Sequence, residues 1–144
     1  MSVLAAIRPD DWNLALFVHI LGAMALVGAL ALVLVALAER NLRLGYRSLL
    51  LGVLPGWIVM RGGAEWIASK EHVNDLDPTP SWVDVGYSVS DPMLVLIIVA
   101  TVCAGIAVRR EKRGGGLRGT ALVLTAVMLV AAFVAVWAMT TKPT

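Results

Sequence analysis

The chain is poor in charge and almost without cysteine. Asp, Glu, Lys and Arg make up 15% of its 144 residues, against roughly a quarter in an ordinary soluble domain. That shortage excludes a disordered chain, a collagen-like chain and an ordinary soluble enzyme. The single cysteine, Cys103, leaves no internal disulfide and no C-x-x-C pair, which excludes disulfide scaffolds and thiol-exchange membrane enzymes. Histidine is nearly as scarce, with His19 and His72 alone. There is no Ser-His-Asp order and no zinc motif. The Gly114-Gly115-Gly116 run lacks the lysine and the preceding strand of a phosphate-binding loop. Nothing supports a hydrolase, no reaction is assigned, and a nucleic-acid partner is not expected.

What the chain has is apolar length. Apolar residues make up 59% of it, the mean hydropathy is +0.83, and the charges sit in short clusters between long apolar stretches. A membrane-spanning helix needs about 20 mostly apolar residues to cross a hydrocarbon core of about 30 Å. Four segments qualify, near 13–38, 48–69, 91–108 and 119–139, and they are continuously apolar rather than alternating, which excludes strands. The expectation is an all-α fold: one four-span bundle over residues 1–144, with an outer loop at 70–92. Ala36-Leu37-Ala38 resembles a signal-peptide cleavage site. The apolar run before it is too long for a signal, however, and its N-terminal flank is not basic, so the first span is expected to stay.

Basic residues in the short loops set the expected orientation. Arg40, Arg43 and Arg47 follow the first span; Arg109, Arg110, Lys112, Arg113 and Arg118 follow the third. Together they are eight of the 12 basic residues, whereas the 70–92 loop is acidic, with Glu71, Asp75, Asp77, Asp84 and Asp91. Both termini should therefore face outward and both basic loops the cytoplasm, in a bacterial inner membrane. Trp12, Trp66 and Trp137 fall at the outer span ends, where indole rings favour the interface. The basic loops also suit anionic lipid. In the outer loop, Trp82, Val83, Val85 and Tyr87 could lay the chain over the bundle mouth.

Polar residues at membrane depth are costly and need partners. Three stand out: His19 in the first span, and Arg61 and Glu65 in the second. At 1.5 Å rise per residue they lie roughly 9, 12 and 6 Å below the outer boundary, all in the outer third of the bilayer. His19 sits on a small-residue stripe with Ala15, Gly22 and Ala29, so it should face the bundle. Gly52 and Gly56 form a GxxxG packing face, while Arg61 and Glu65 are spaced to pair and share a face with Trp57. Pro55-Gly56 and Gly62-Gly63 bracket this stretch, which predicts a kinked or unwound helix, and a pocket, near Arg61. His19 is open to three readings: interhelical hydrogen-bonder, haem or metal ligand, or proton relay. Arg61 and Glu65 are either a self-neutralised ion pair or a cation offered to a haem propionate, a carboxylate or a lipid phosphate. Met93 and Met139 end spans at the same outer level, with Met24 and Met60 deeper; each is either a soft ligand or plain apolar filler.

The run Leu16-Phe17-Val18-His19-Ile20-Leu21-Gly22-Ala23-Met24 resembles the opening helix of the copper-resistance D-type membrane domain. It is also similar to small four-span bacterial membrane families near that domain. The closing Val136-Trp137-Ala138-Met139-Thr140-Thr141-Lys142-Pro143 is similar too, as is Pro55 followed by Gly62-Gly63. The resemblance implies a bacterial inner-membrane protein with an outward-facing histidine site for copper or haem. The larger copper family has more spans and further ligands. A copper site here would draw on methionines, and a haem would have one histidine and one methionine.

Two functions follow as expectations. One is an outward-facing intramembrane site for a haem (haem b), a copper ion or a small anionic ligand. The other is a structural or assembly subunit, docking a second copy or another membrane protein through the faces of Gly22, Gly52 and Gly56. A small-solute transporter has less support, because four spans would have to dimerise and no inverted repeat is visible.

Overall fold

The computed structural model describes residues 10–71, 81–110 and 115–140. Those residues are helical almost throughout, with no strand among them: α1 (Asp10–Ala38), α2 (Leu42–Ser48), α3 (Leu54–Glu71), α4 (Ser81–Arg109) and α5 (Gly115–Thr140). Three stretches are long and apolar enough to cross a membrane, Leu14–Ala38, Val83–Arg109 and Gly115–Ala138. They make the chain a multi-pass membrane protein. Large apolar side chains cover their outer faces, Phe17, Met24, Val102, Phe133 and Trp137 among them, and these face lipid.

The segment expected as the second span departs most from its expectation. It is a helical rod from Leu42 to Glu71, interrupted by a π turn at Leu49–Val53, where the Leu54 N–H reaches the Leu49 carbonyl. Arg61 and the Gly62-Gly63 pair lie in regular α-helix, so the irregularity expected at Arg61 is instead two to three turns upstream. The cause is Pro55. Its ring crowds the carbonyl four residues earlier and it has no N–H to offer, so the strain falls on the preceding turn, which widens to π.

The 70–92 loop is also shorter than expected, because α4 begins at Ser81. Val83 and Tyr87, one turn apart, pack on Ala68 of α3, and Asp84 complements the positive end of the helix. Pro92 lies inside α4 rather than before it. It leaves the carbonyl of Ser88 without its usual partner, a defect that one proline in a long helix can carry.

The helices pack as two antiparallel pairs, α1 on α3 and α4 on α5, joined by α1 against α5 and by α4 against α2 and the π turn. On α1 the buried residues Leu26, Leu30, Val33 and Leu37 recur every three or four positions. They meet Leu49, Val53, Met93, Ile97 and Met128 in one core.

The α1–α3 seam is in direct backbone contact. A methyl group at Gly63 would lie 2.7 Å from the His19 backbone, one at Gly56 2.8 Å from the Leu26 nitrogen, and one at Gly52 2.9 Å from the Ala29 Cβ. A methyl at Gly22 would strike the Met60 nitrogen. Residues 19, 22, 26 and 29 thus lie opposite 63, 60, 56 and 52, an antiparallel register written in small residues.

The junction of α1 and α2 is closed by hydrogen bonds. Arg40 takes a positive φ of 62° at the residue where glycine usually ends a helix. Around it the Asn41 N–H bonds the Ala36 carbonyl at 2.7 Å and the Arg40 N–H that of Leu37 at 3.2 Å. Asn41 caps α2 through the Leu44 N–H, and Arg118 of α5 donates to the Leu37 carbonyl at 2.9 Å.

Two adjacent glycines test the seam. Gly63→Ala should lower the thermal midpoint in detergent, with a loss of about 1–3 kcal/mol from overpacking. Gly62→Ala, where nothing lies within 4 Å of the added methyl, should be neutral or stabilising by up to about 1 kcal/mol. Equal shifts for the two would show that α1 and α3 are not in backbone contact.

Candidate functional site

The polar groups singled out in the sequence gather on two faces of α3. Met60 and Gly63 face α1, while Trp57, Arg61 and Glu65, at intervals of four, face α4.

On the α1 side, the His19 Nδ1 lies 2.8 Å from the Met60 carbonyl oxygen. That oxygen is approachable because the residue one turn on is Gly63, so no side chain shields it and α1 comes close. A carbonyl can only accept, so Nδ1 carries the hydrogen. In the neutral ring Nε2 then keeps its lone pair, and no partner for Nε2 occurs among the described residues.

On the α4 side, Arg61 is the hub. One terminal guanidinium nitrogen bonds Glu65, its Nε donates to Asp91 at 3.2 Å, and its Cζ lies 4.6 Å from the centre of the Tyr87 ring. Ser90 donates to the same Asp91 oxygen at 3.4 Å, and the Trp57 Nε1–H bonds the Ser90 carbonyl at 2.9 Å. These bonds tie α3 to the first half of α4. Two carboxylates against one guanidinium leave the group with a formal charge of −1.

Arg61, Glu65 and Trp57 therefore share one cluster, and His19 lies across α3 from it. Sequence reasoning missed Asp91, Tyr87 and Ser90 because they fall in the stretch read as loop. The i, i+4 spacing of Val83, Tyr87 and Asp91 is the helical signal that would have revealed them. Of the methionines, Met93 is buried in the core beside Ile97 and Met128, Met60 is half-buried against that core, and Met24 is exposed. The side chain of Met139 lies outside the described residues. No group of three or more His, Cys, Asp and Glu able to hold a metal ion occurs among the described residues. Gly22, Gly52 and Gly56 all lie in the α1–α3 seam, so these faces are covered within the chain itself.

Comparison with known proteins gives no match to any family model, curated protein or solved structure.

The ion cluster can be tested by coupling. In a double-mutant cycle of Arg61→Gln and Asp91→Asn, thermal denaturation in detergent should give an interaction energy of about 1 kcal/mol, as expected of a half-exposed pair. Strict additivity would show that the α3–α4 bridge does not form.

Proposed function

We propose that the chain is a four-span integral membrane protein of a bacterial cytoplasmic membrane, with both termini outside, that holds a haem on His19 in the outer leaflet. The observation that carries this reading is the hydrogen bond from His19 Nδ1 to the Met60 carbonyl. A histidine that ligates a metal almost always gives its other ring N–H to a carbonyl or carboxylate, which fixes the tautomer and the ring plane. His19 has that arrangement, with Nε2 left as the donor atom.

Haem fits the available donors better than copper. One imidazole suffices as an axial ligand to haem, whereas a protein copper site needs further nitrogen or sulfur donors. An anionic ligand is less favoured, because Arg61 already serves two carboxylates. The rod from Leu42 to Glu71 supplies the remaining span: at 1.5 Å per residue it is about 45 Å long, more than a hydrocarbon core requires. Its charged residues Arg61 and Glu65 are paired, as membrane depth demands.

Two measurements check the reading. The purified protein should show a Soret band that shifts on reduction, and His19→Ala should remove it. A colourless, metal-free protein would leave the His19–Met60 bond as a helix-to-helix tie in a structural or assembly subunit. For topology, in a Cys103→Ser background, a cysteine at Lys70 should react with a membrane-impermeant maleimide in intact cells and one at Arg110 should not. The reverse pattern would invert the orientation.

A further inference from the structure

At the inner end α2 and α4 meet differently. Gly105 of α4 has no side chain, and the Tyr46 ring of α2 occupies the space, with its Cε2 3.1 Å from where a Cβ would stand. Beside that contact runs a groove of about 300 Å³, lined by Tyr46, Thr101, Val102, Gly105, Ile106 and Arg109. This is the lower end of the range for ligand cavities. From Thr101 to Arg109 the groove follows α4 for roughly 12 Å. The Thr101 hydroxyl is already spent on the Ile97 carbonyl at 2.7 Å, and Val102, Gly105 and Ile106 make the middle of the wall apolar. Val102, 54% exposed, opens it sideways to lipid.

The charge lies at one end. Arg109 closes the groove, is exposed, and has no ionic partner among the described residues. Arg47, next to Tyr46, and Arg110, next to Arg109, are exposed as well. An apolar slot open to the bilayer and ending in guanidinium groups at the helix terminus matches one occupant: an acyl chain whose headgroup is a negatively charged phosphate. We propose that this groove is a binding site for an anionic phospholipid, with one acyl chain along Val102, Gly105 and Ile106 and the phosphate at Arg109.

The test is native mass spectrometry of the detergent-purified protein with equal amounts of phosphatidylglycerol and phosphatidylcholine of the same acyl chains. The wild type should retain one phosphatidylglycerol in severalfold preference to phosphatidylcholine. Arg109→Gln should reduce that preference roughly fivefold, as loss of one basic residue near a membrane surface predicts. Val102→Trp, at an exposed position, should fill the slot and lower retention of both lipids. Equal retention of the two lipids by the wild type would overturn the proposal. So would an unchanged preference in Arg109→Gln. Wild-type retention in Val102→Trp would reduce the effect to general attraction by the basic surface and overturn the groove as the site.

Discussion

The backbone contact between α1 and α3 is the constraint on which the rest depends. Lipid tails are as apolar as the side chains they surround, so burial in the bilayer does little to drive helices together; close packing and hydrogen bonds must do it. Glycines at 22, 52, 56 and 63 remove the side chains that would hold the helices apart. The resulting closeness fixes the register. With Gly63 against the His19 backbone, the imidazole comes within 2.8 Å of the Met60 carbonyl. The same rotation of α3 turns Trp57, Arg61 and Glu65 toward α4. A seam of small residues thus decides the partners of the polar ones.

The bundle is held together differently at its two ends. At the end nearer Arg109, α2 and the π turn lie against α4 through apolar contacts, Tyr46 over Gly105 among them. At the other end, α3 reaches α4 mainly through polar bonds: Trp57 to the Ser90 carbonyl and Arg61 to Asp91. A hydrogen bond gains strength where water is excluded, and an unpaired polar group there is correspondingly expensive. Among the described residues no buried side-chain nitrogen or oxygen lacks a partner. The two prolines fit the same division. Pro55 is absorbed by a π turn on the apolar half, and Pro92 sits directly after Asp91, where α4 turns its carboxylate to Arg61.

Much of this was legible in the residues, because one-dimensional patterns survive folding. Continuous apolar runs gave the three membrane-length helices. The i, i+4 spacing of Arg61 and Glu65 gave their pair, and the small residues at 22, 52 and 56 marked close packing. What could not be read was which helix each face meets. The stripe around His19 and the GxxxG of the next helix turn out to belong to one seam, and sequence spacing says nothing about that. Asp91 and Tyr87 were lost for a different reason: proline and acidic residues between spans read as loop, and tertiary packing of Val83 and Tyr87 on Ala68 overrode that signal. Pro55 was recognised as a disturbance, but its effect was assigned toward Arg61, whereas a proline strains the turn before it.

The charge balance of the α3–α4 cluster follows from its partners. A lone arginine at this depth would draw an anion, and a neutral Arg–Glu pair would be indifferent to charge. Asp91 changes the sign: with two carboxylates on one guanidinium, the α3–α4 face carries a formal −1. A negative group in a medium of low dielectric stabilises nearby positive charge. His19, on α1, meets the opposite face of α3, its Nδ1 bonded to the Met60 carbonyl and its Nε2 without a partner among the described residues.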